Sequence, residues 1–324
     1  MTVRNFLTLL VVAALALPAG AFAQEADSYP SKPVQIIIPA AAGNSPDVAA
    51  RVVADRLTQL WKQQVLIINR PGAGGLIAAQ AASMADKSGY TLYMTQASTY
   101  TVLPITQDKL PFDLHRDFMP IGLVGVQPIA VAVAPSLGPK TLPELIALIR
   151  ATPGGMLFAA SNRGGQSHLT GELFKIRTGL DLTFVHAAGA ASSINDVTTG
   201  RIPIMFEGLA GIGGSIKGGT LTPLAIASEK RLNNYPDLPT VSDTIPDFAS
   251  KGWLALMAPA GTPESIIAKV NADLRIVLAQ PELVERFEAI GTYPQPLSPT
   301  ETAAFIRAEE QLWWPIVRQV ESKR

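Results

Sequence analysis

Cysteine is absent from the 324-residue chain. That excludes disulfide staples, thiolate-bound zinc and a thiol nucleophile, and it leaves an exported form dependent on its apolar core. Histidine is scarce: His115, His168 and His186 are the whole complement, with no H-E-x-x-H pair, so no metal site is expected. Charge is both sparse and balanced. Charged residues are 16% of the chain, and 26 Lys and Arg face 26 Asp and Glu, so nothing steers the protein toward nucleic acid or an anionic membrane. Short-period repeats and low-complexity tracts are lacking. Beyond residue 23 there is no apolar run long enough to span a bilayer.

What is present starts with MTVRNFLTLLVVAALALPAGAFA, which places Arg4 in a short basic region, an apolar run through Leu17 and an Ala21-Phe22-Ala23 cleavage site. The run is shorter than the roughly 20 residues of a spanning helix. This pattern predicts a signal peptide over residues 1–23, removed near Ala23, and a mature chain beginning near Gln24 outside the cytoplasm. The remaining length suits two domains with substantial cores.

Through most of that length, strand-sized apolar runs alternate with helical patterns. VQIII, QVLII, YTLYM, IAVAVA, MLFAA, LTFVH, IPIMF, TPLAIA and WLALMA are the expected strands. Their continuous apolarity marks burial on both faces, as in a parallel sheet covered by helices, and the predicted class is α/β. Helices are expected over Asp47 to Trp61, Leu76 to Met84, Leu142 to Arg150, Leu169 to Thr178 and Ser193 to Thr199. From Glu264 to Gln319 the pattern predicts three more, separated by Pro281 and by GTYPQPLSPT.

One piece of grammar recurs. IIIPAAAGNSPDVAARVVADRL, INRPGAGGLIAAQAA, ASNRGGQSHLTGELF and VHAAGAASSINDV each join an apolar strand to a helix through very small residues. In the first, Ser45 suits a cap, Pro46 the first helical position and Asp47 the first turn. Such turns lie at the C-terminal ends of strands, where open α/β sheets bind ligands, and expose backbone N–H groups at helix N-termini that favour an anion. With two turns early and two in the middle of the chain, separate domains would set them across a cleft.

Other chemistries fit less well. Ser167 adjoins His168, which raises a Ser–His–acid hydrolase, but no G-x-S-x-G elbow is present and sequence neighbours rarely have nucleophile–base geometry. The GAGG of Gly72 to Gly75 lacks the third glycine of a dinucleotide fingerprint, since Ile77 stands there. No cofactor is expected. A binding protein reporting to a signalling receptor stays open as an alternative.

Several segments together, YPSKPVQIIIP, INRPGAGG, GYTLYM, LPFDLHRDFMPIGLV, KTLPELIALIR, SHLTGELF, LPTVSD and LMAPAGTP, resemble in order and spacing the substrate-binding proteins of tripartite tricarboxylate transporters, the Bug family. The resemblance covers essentially the whole mature length. It implies a type II periplasmic-binding-protein-like architecture, with two α/β domains around a ligand cleft. The division expected is 29–125 with 250–324 as one domain and 126–249 as the other. It further implies a monomeric periplasmic protein, not an enzyme, that captures a small carboxylate for the membrane permease subunits.

Carrying the family's turns onto this chain gives the candidate ligand-binding set: Ala41, Ala42, Gly43, Ser45, Asp47, Ser98, Arg163, Gly164, Gln166, Ser167, His168, Ala188, Gly189, Ala190 and Glu207. The chain departs from the family where Ala40 replaces an aromatic ring, Asn44 a glycine, and Ala187 and Ala188 a tyrosine and a lysine. Those losses predict a roomier, more apolar pocket and a benzoate- or terephthalate-like ligand. One carboxylate would lie on helix N-termini, and Arg163 would meet a second polar end.

Overall fold

The computed structural model describes residues 28–161 and 163–322. The signal segment expected over 1–23, with its cleavage site, lies outside the described residues. Each expected strand forms. They are β1 (Val34–Ile38), β2 (Val65–Asn69), β3 (Thr91–Gln96), β4 (Phe118–Val133), β5 (Met156–Ser161), β6 (Leu182–Ala187), β7 (Ile204–Gly208), β8 (Thr222–Ile226) and β9 (Lys251–Pro259), joined by a short β10 (Tyr293–Pro294) that the sequence did not announce. The helices are α1 (Ser45–Trp61), α2 (Leu76–Ser83), α3 (Ala97–Thr101), α4 (Leu103–Thr106), α5 (Leu142–Ala151), α6 (Gln166–Thr178), α7 (Ala190–Thr198), α8 (Leu209–Lys217), α9 (Glu264–Leu278), α10 (Pro281–Ala289) and α11 (Pro299–Glu321).

The sheet is mixed, where continuous apolarity had suggested a parallel one. β1 pairs in parallel with β2 and β3, and β5 with β6 and β7, as βα units require. β9 then runs antiparallel between β3 and β4. β4 is the long element that joins everything. Its Phe118–Pro128 half pairs with β9, and its Ile129–Val133 half pairs with β7 and β8. The strand therefore leaves one set of partners and enters another within a single residue step, at Pro128 and Ile129. The apolar pattern could not reveal this, because antiparallel strands covered by helices on both faces are as uniformly apolar as parallel ones.

Alternation along each strand feeds two apolar layers. In β1, Ile36 and Ile38 pack with Val53 and Leu57 of α1 and with Val270 and Leu274 of α9, while Ile37 turns to the other face beside Tyr93 and Trp253. Around β5 and β7, Phe158 and Phe206 pack on Leu169 and Phe174 of α6, and Ala159 and Met205 face Val197 of α7 and Ile212 of α8. The last helix touches both groups: Ile306 joins the Trp253 layer, and Trp313, Ile316 and Val317 join the Phe158 layer.

Boundaries moved where caps compete. α1 begins at Ser45, so Asn44 holds the cap position and Pro46 is one place further in than expected. α6 begins at Gln166 and α7 at Ala190, each three residues before the apolar periodicity starts. α3, α4 and α8 were not anticipated. In α8, LAGIGGSIK carries glycines that each cost a helix about 1 kcal/mol relative to alanine. Packing overrides that cost, because a Cβ on Gly211 would sit 2.6 Å from the Ala190 Cβ.

Candidate ligand-binding cleft

A cavity of about 620 Å³ lies where the C-terminal ends of β1 and β3 meet those of β5, β6 and β7. Its floor comes from the two strands that carry the switch in pairing, with Gln127 and Ile129 from β4 and Gly252 and Trp253 from β9. The walls are the turns that follow the strands. Pro39, Ala40, Ala41, Asn44, Ser45 and Pro46 lead into α1, and Gly72, Gly74 and Gly75 lead into α2. Gln96, Ala97 and Ser98 begin α3. From the other group come Gly165, Gln166 and Ser167 at α6, Ala188, Gly189 and Ala190 at α7, and Gly208, Ala210 and Gly211 at α8.

Helix N-termini thus converge on one space, and none of these helices has a side-chain cap hydrogen bond. Away from the cavity, α5 and α11 carry full capping boxes at Thr141 with Glu144 and at Ser298 with Glu301, while α9 and α10 are uncapped as well, so it is the convergence of the cavity starts and not the missing cap that sets them apart. First-turn N–H groups have no partner within a helix, so a ligand anion entering here would meet donors whose carbonyl-end charge lies a full helix away.

Among the described lining residues the sole ionisable side chain is Glu207. It is 5% exposed and accepts from four donors. Oε1 receives the Ser161 hydroxyl at 3.0 Å, the Ser167 hydroxyl at 2.9 Å and the Gly208 N–H at 3.0 Å, and Oε2 receives the Ser161 N–H at 3.1 Å. The remaining polar lining is amide and hydroxyl. Gln96 Nε2 donates to Ser98 Oγ, Gln127 Nε2 to Thr292 Oγ1 and Gln166 Nε2 to Ser250 Oγ.

Of the residues singled out from sequence, Ala41, Ser45, Ser98, Gln166, Ser167, Ala188, Gly189, Ala190 and Glu207 line the cavity together. Six do not. Asp47 is 2% exposed and turned beneath the first turn. There it accepts from the Gly43 N–H at 2.8 Å, Arg51 Nε at 3.0 Å and Asn69 Nδ2 at 2.9 Å. Burial would raise its pKa, but these hydrogen bonds outweigh burial and hold it below the ordinary carboxylate value. Gly43 is thereby committed to Asp47, and Ala42 faces solvent.

His168 plays the same part under the third turn. Its Nδ1 accepts the Gly164 N–H at 3.0 Å and its ring lies 3.9 Å from that of Phe184, at 1% exposure. Gly164 is committed with it. Arg163 lays its guanidinium 4.9 Å from the Phe184 ring centre and does not reach the cavity lining. A second ligand carboxylate therefore has no cation to meet among the described lining residues. The Ser167–His168 pair is not arranged as nucleophile and base either, since the hydroxyl gives its proton to Glu207 and Nδ1 is occupied by a backbone N–H.

Residues that pattern reading missed include Gln96, Gln127, Ser161 and Trp253. Ser161 directly follows the expected strand MLFAA and ends the observed β5, and its place in the ASNRGG turn segment was the available signal. Gln127 and Trp253 reach the site through the antiparallel pairing of β4 with β9, which places Gln127 opposite Gly252 and Val126 opposite Trp253.

Residues 49–321 match the family described as the tripartite tricarboxylate transporter family receptor. Protein BugT of Bordetella pertussis is 34% identical over 300 residues, 92% of each chain. A solved structure described as a periplasmic transporter is 32% identical with a TM-score of 0.79, over 90% of this chain and 97% of that one. An R. palustris protein solved with adipate is 27% identical with a TM-score of 0.80, over 90% and 97% of the two chains. MatC from Rhodopseudomonas palustris, with bound malate, is 26% identical with a TM-score of 0.74, over 89% and 100%.

Proposed function

The chain belongs to the tripartite tricarboxylate transporter receptor family, and from that premise we propose that it is an exported, monomeric solute-binding protein that takes a small aromatic carboxylate into this cavity and delivers it to the membrane permease of such a transporter. In this reading residues 29–125 with 250–324 and residues 126–249 are the two lobes that close on the ligand, and the signal segment is removed near Ala23 so that the mature protein acts in the periplasm. The observation that carries it is the convergence of helix N-termini without side-chain caps on a single space. Related proteins solved with adipate and with malate support the carboxylate class.

The aromatic part rests on the walls. Ala41, Ala188 and Ala190 offer apolar surface, backed by the buried Ala40, Ala97, Ile129 and Trp253, and the described lining residues include no cation for a second or third ligand charge. A ring buried there gains about 25 cal/mol per Å² of apolar area, which a short polyanion forgoes.

Calorimetric titration of the mature protein tests this directly. Benzoate-like monocarboxylates are expected to outcompete citrate, aspartate and succinate, and the ligand is expected back chemically intact. A short aliphatic acid binding at least tenfold tighter than every aromatic acid tested rejects the aromatic reading. Turnover of the ligand would instead favour a hydrolase.

A further inference from the structure

Glu207 is an anion that the protein has placed inside its own anion site. Its carboxylate lies at the start of α8, where it takes the Gly208 N–H, and beside the first turn of α6, where it takes the Ser167 hydroxyl. Of the donors at those two helix starts, the Ser167 hydroxyl and the Gly208 N–H are thus already taken by a negative charge. A carboxylate only accepts, so the protons of Ser161 Oγ and Ser167 Oγ are both directed at Glu207. What each hydroxyl has left to show the cavity is its lone pairs. This stretch of wall is consequently an acceptor surface, unlike the donor surface at the starts of α1, α2 and α7.

We propose that Glu207, with the Ser161 and Ser167 hydroxyls it orients, is the specificity determinant of the cleft, selecting a ligand that carries one carboxylate and, at its other end, a neutral or cationic hydrogen-bond donor such as a hydroxyl or amino group. This rests on the carboxylate-binding reading of the cleft and narrows it. The ligand carboxylate lies against the α1, α2 and α7 termini, and its donor end meets the serine oxygens and Glu207. A second carboxylate at that end, as in terephthalate, would face a buried negative charge with no cation among the described lining residues to compensate. A bare ring end, as in benzoate, would cover acceptors without replacing their water, at a cost set by the desolvation of those groups. The competing view is that Glu207 only ties β5 to β7 through Ser161. A structural tie of that kind changes stability, but not the order in which ligands bind.

The test is a matched series of 4-hydroxybenzoate, 4-aminobenzoate, benzoate and terephthalate titrated into the wild-type protein, then into Glu207→Gln and Ser161→Ala. In the wild type the hydroxy and amino acids are expected to bind at least about tenfold tighter than benzoate, with terephthalate the weakest. Glu207→Gln is expected to narrow the hydroxy-to-benzoate ratio and to strengthen terephthalate, and Ser161→Ala to narrow that ratio without helping terephthalate as much. The wild-type series needs no variant to fold. If terephthalate binds as tightly as the donor-bearing acids, or if the ranking is the same in Glu207→Gln and the wild type, the proposal is overturned while carboxylate binding stands. If no carboxylate in this or the aliphatic series binds, both readings fall.

Discussion

Asp47→Asn separates holding the first turn from touching the ligand, because the structure commits the whole Asp47 carboxylate to the protein. Oδ2 accepts from the Gly43 N–H and Arg51 Nε, and Oδ1 from Asn69 Nδ2 and Arg51 Nη2, all within 3.0 Å. An amide at this position has one accepting oxygen, so either orientation points its NH2 at two donors. Arg51 is half exposed, and its ion pair contributes on the order of 1 kcal/mol or less. The buried bond lost from Gly43 or Asn69 to a charged acceptor is worth about 1.5–3 kcal/mol. The sum, about 2–4 kcal/mol, corresponds to a fall in Tm of roughly 3–6 °C for a chain of about 300 residues. The pKa of Asp47 is lower in the folded state than in the unfolded one. Its contribution is therefore complete above the unfolded carboxylate value of about 3.9 and is lost as pH falls through the folded value. Thermal melts of wild type and Asp47→Asn should differ fully at pH 7 and converge in strong acid. A variant melting within about 1 °C of wild type at pH 7 would refute the assignment, as would a gap that widens in acid.

Two further substitutions probe the frame of the cleft. Gly75→Ala places a Cβ 2.5 Å from Thr99 Oγ1 at a residue whose φ is +104°, so it should cost about 1–3 kcal/mol and displace the turn entering α2. Melting temperature and carboxylate affinity should both fall, and an unchanged pair of values would count against the packing described. Glu309 is buried between Trp253 and Trp313, whose indole N–H groups donate to it at 3.1 and 3.3 Å. Burial raises its pKa against the partial opposition of Lys251 and the two indoles. A raised acid loses stability as pH climbs through its folded value, so Glu309→Gln should melt as high as wild type or higher at pH 8, with the difference closing toward pH 4. A loss above about 2 kcal/mol at pH 8 would show that the charge itself stabilises this layer.

The strands and the turns between them were legible because both depend on local pattern. Uniform apolarity at VQIII or MLFAA is enough to mark a strand buried on two faces, and small residues after it mark a tight connection. What stayed hidden was pairing. The antiparallel insertion of β9 between β3 and β4 joins residues more than a hundred positions apart, and it alone brings Gln127 and Trp253 to the cavity floor. Glycine content concealed α8 for a related reason, since Gly211 is favoured there by its contact with Ala190 on another helix and not by any property of its own segment.

Within the turns, sequence located the right loops but not the direction each residue faces. Asp47 and His168 occupy equivalent places, each reaching back to a glycine N–H four residues earlier, Gly43 and Gly164. Both brace a turn from below while their neighbours Ser45 and Ser167 line the cavity. Whether a lining hydroxyl gives or receives is a further step removed. Ser167, at the start of a helix, reads in sequence as a donor to a ligand anion. Its proton is instead fixed by a carboxylate forty residues later in the chain, and that contact converts the same hydroxyl into an acceptor toward the cavity. The polarity of a hydroxyl is set by its strongest neighbour, so an exchange at position 207 can invert the chemistry preferred at positions 161 and 167 with neither serine changed.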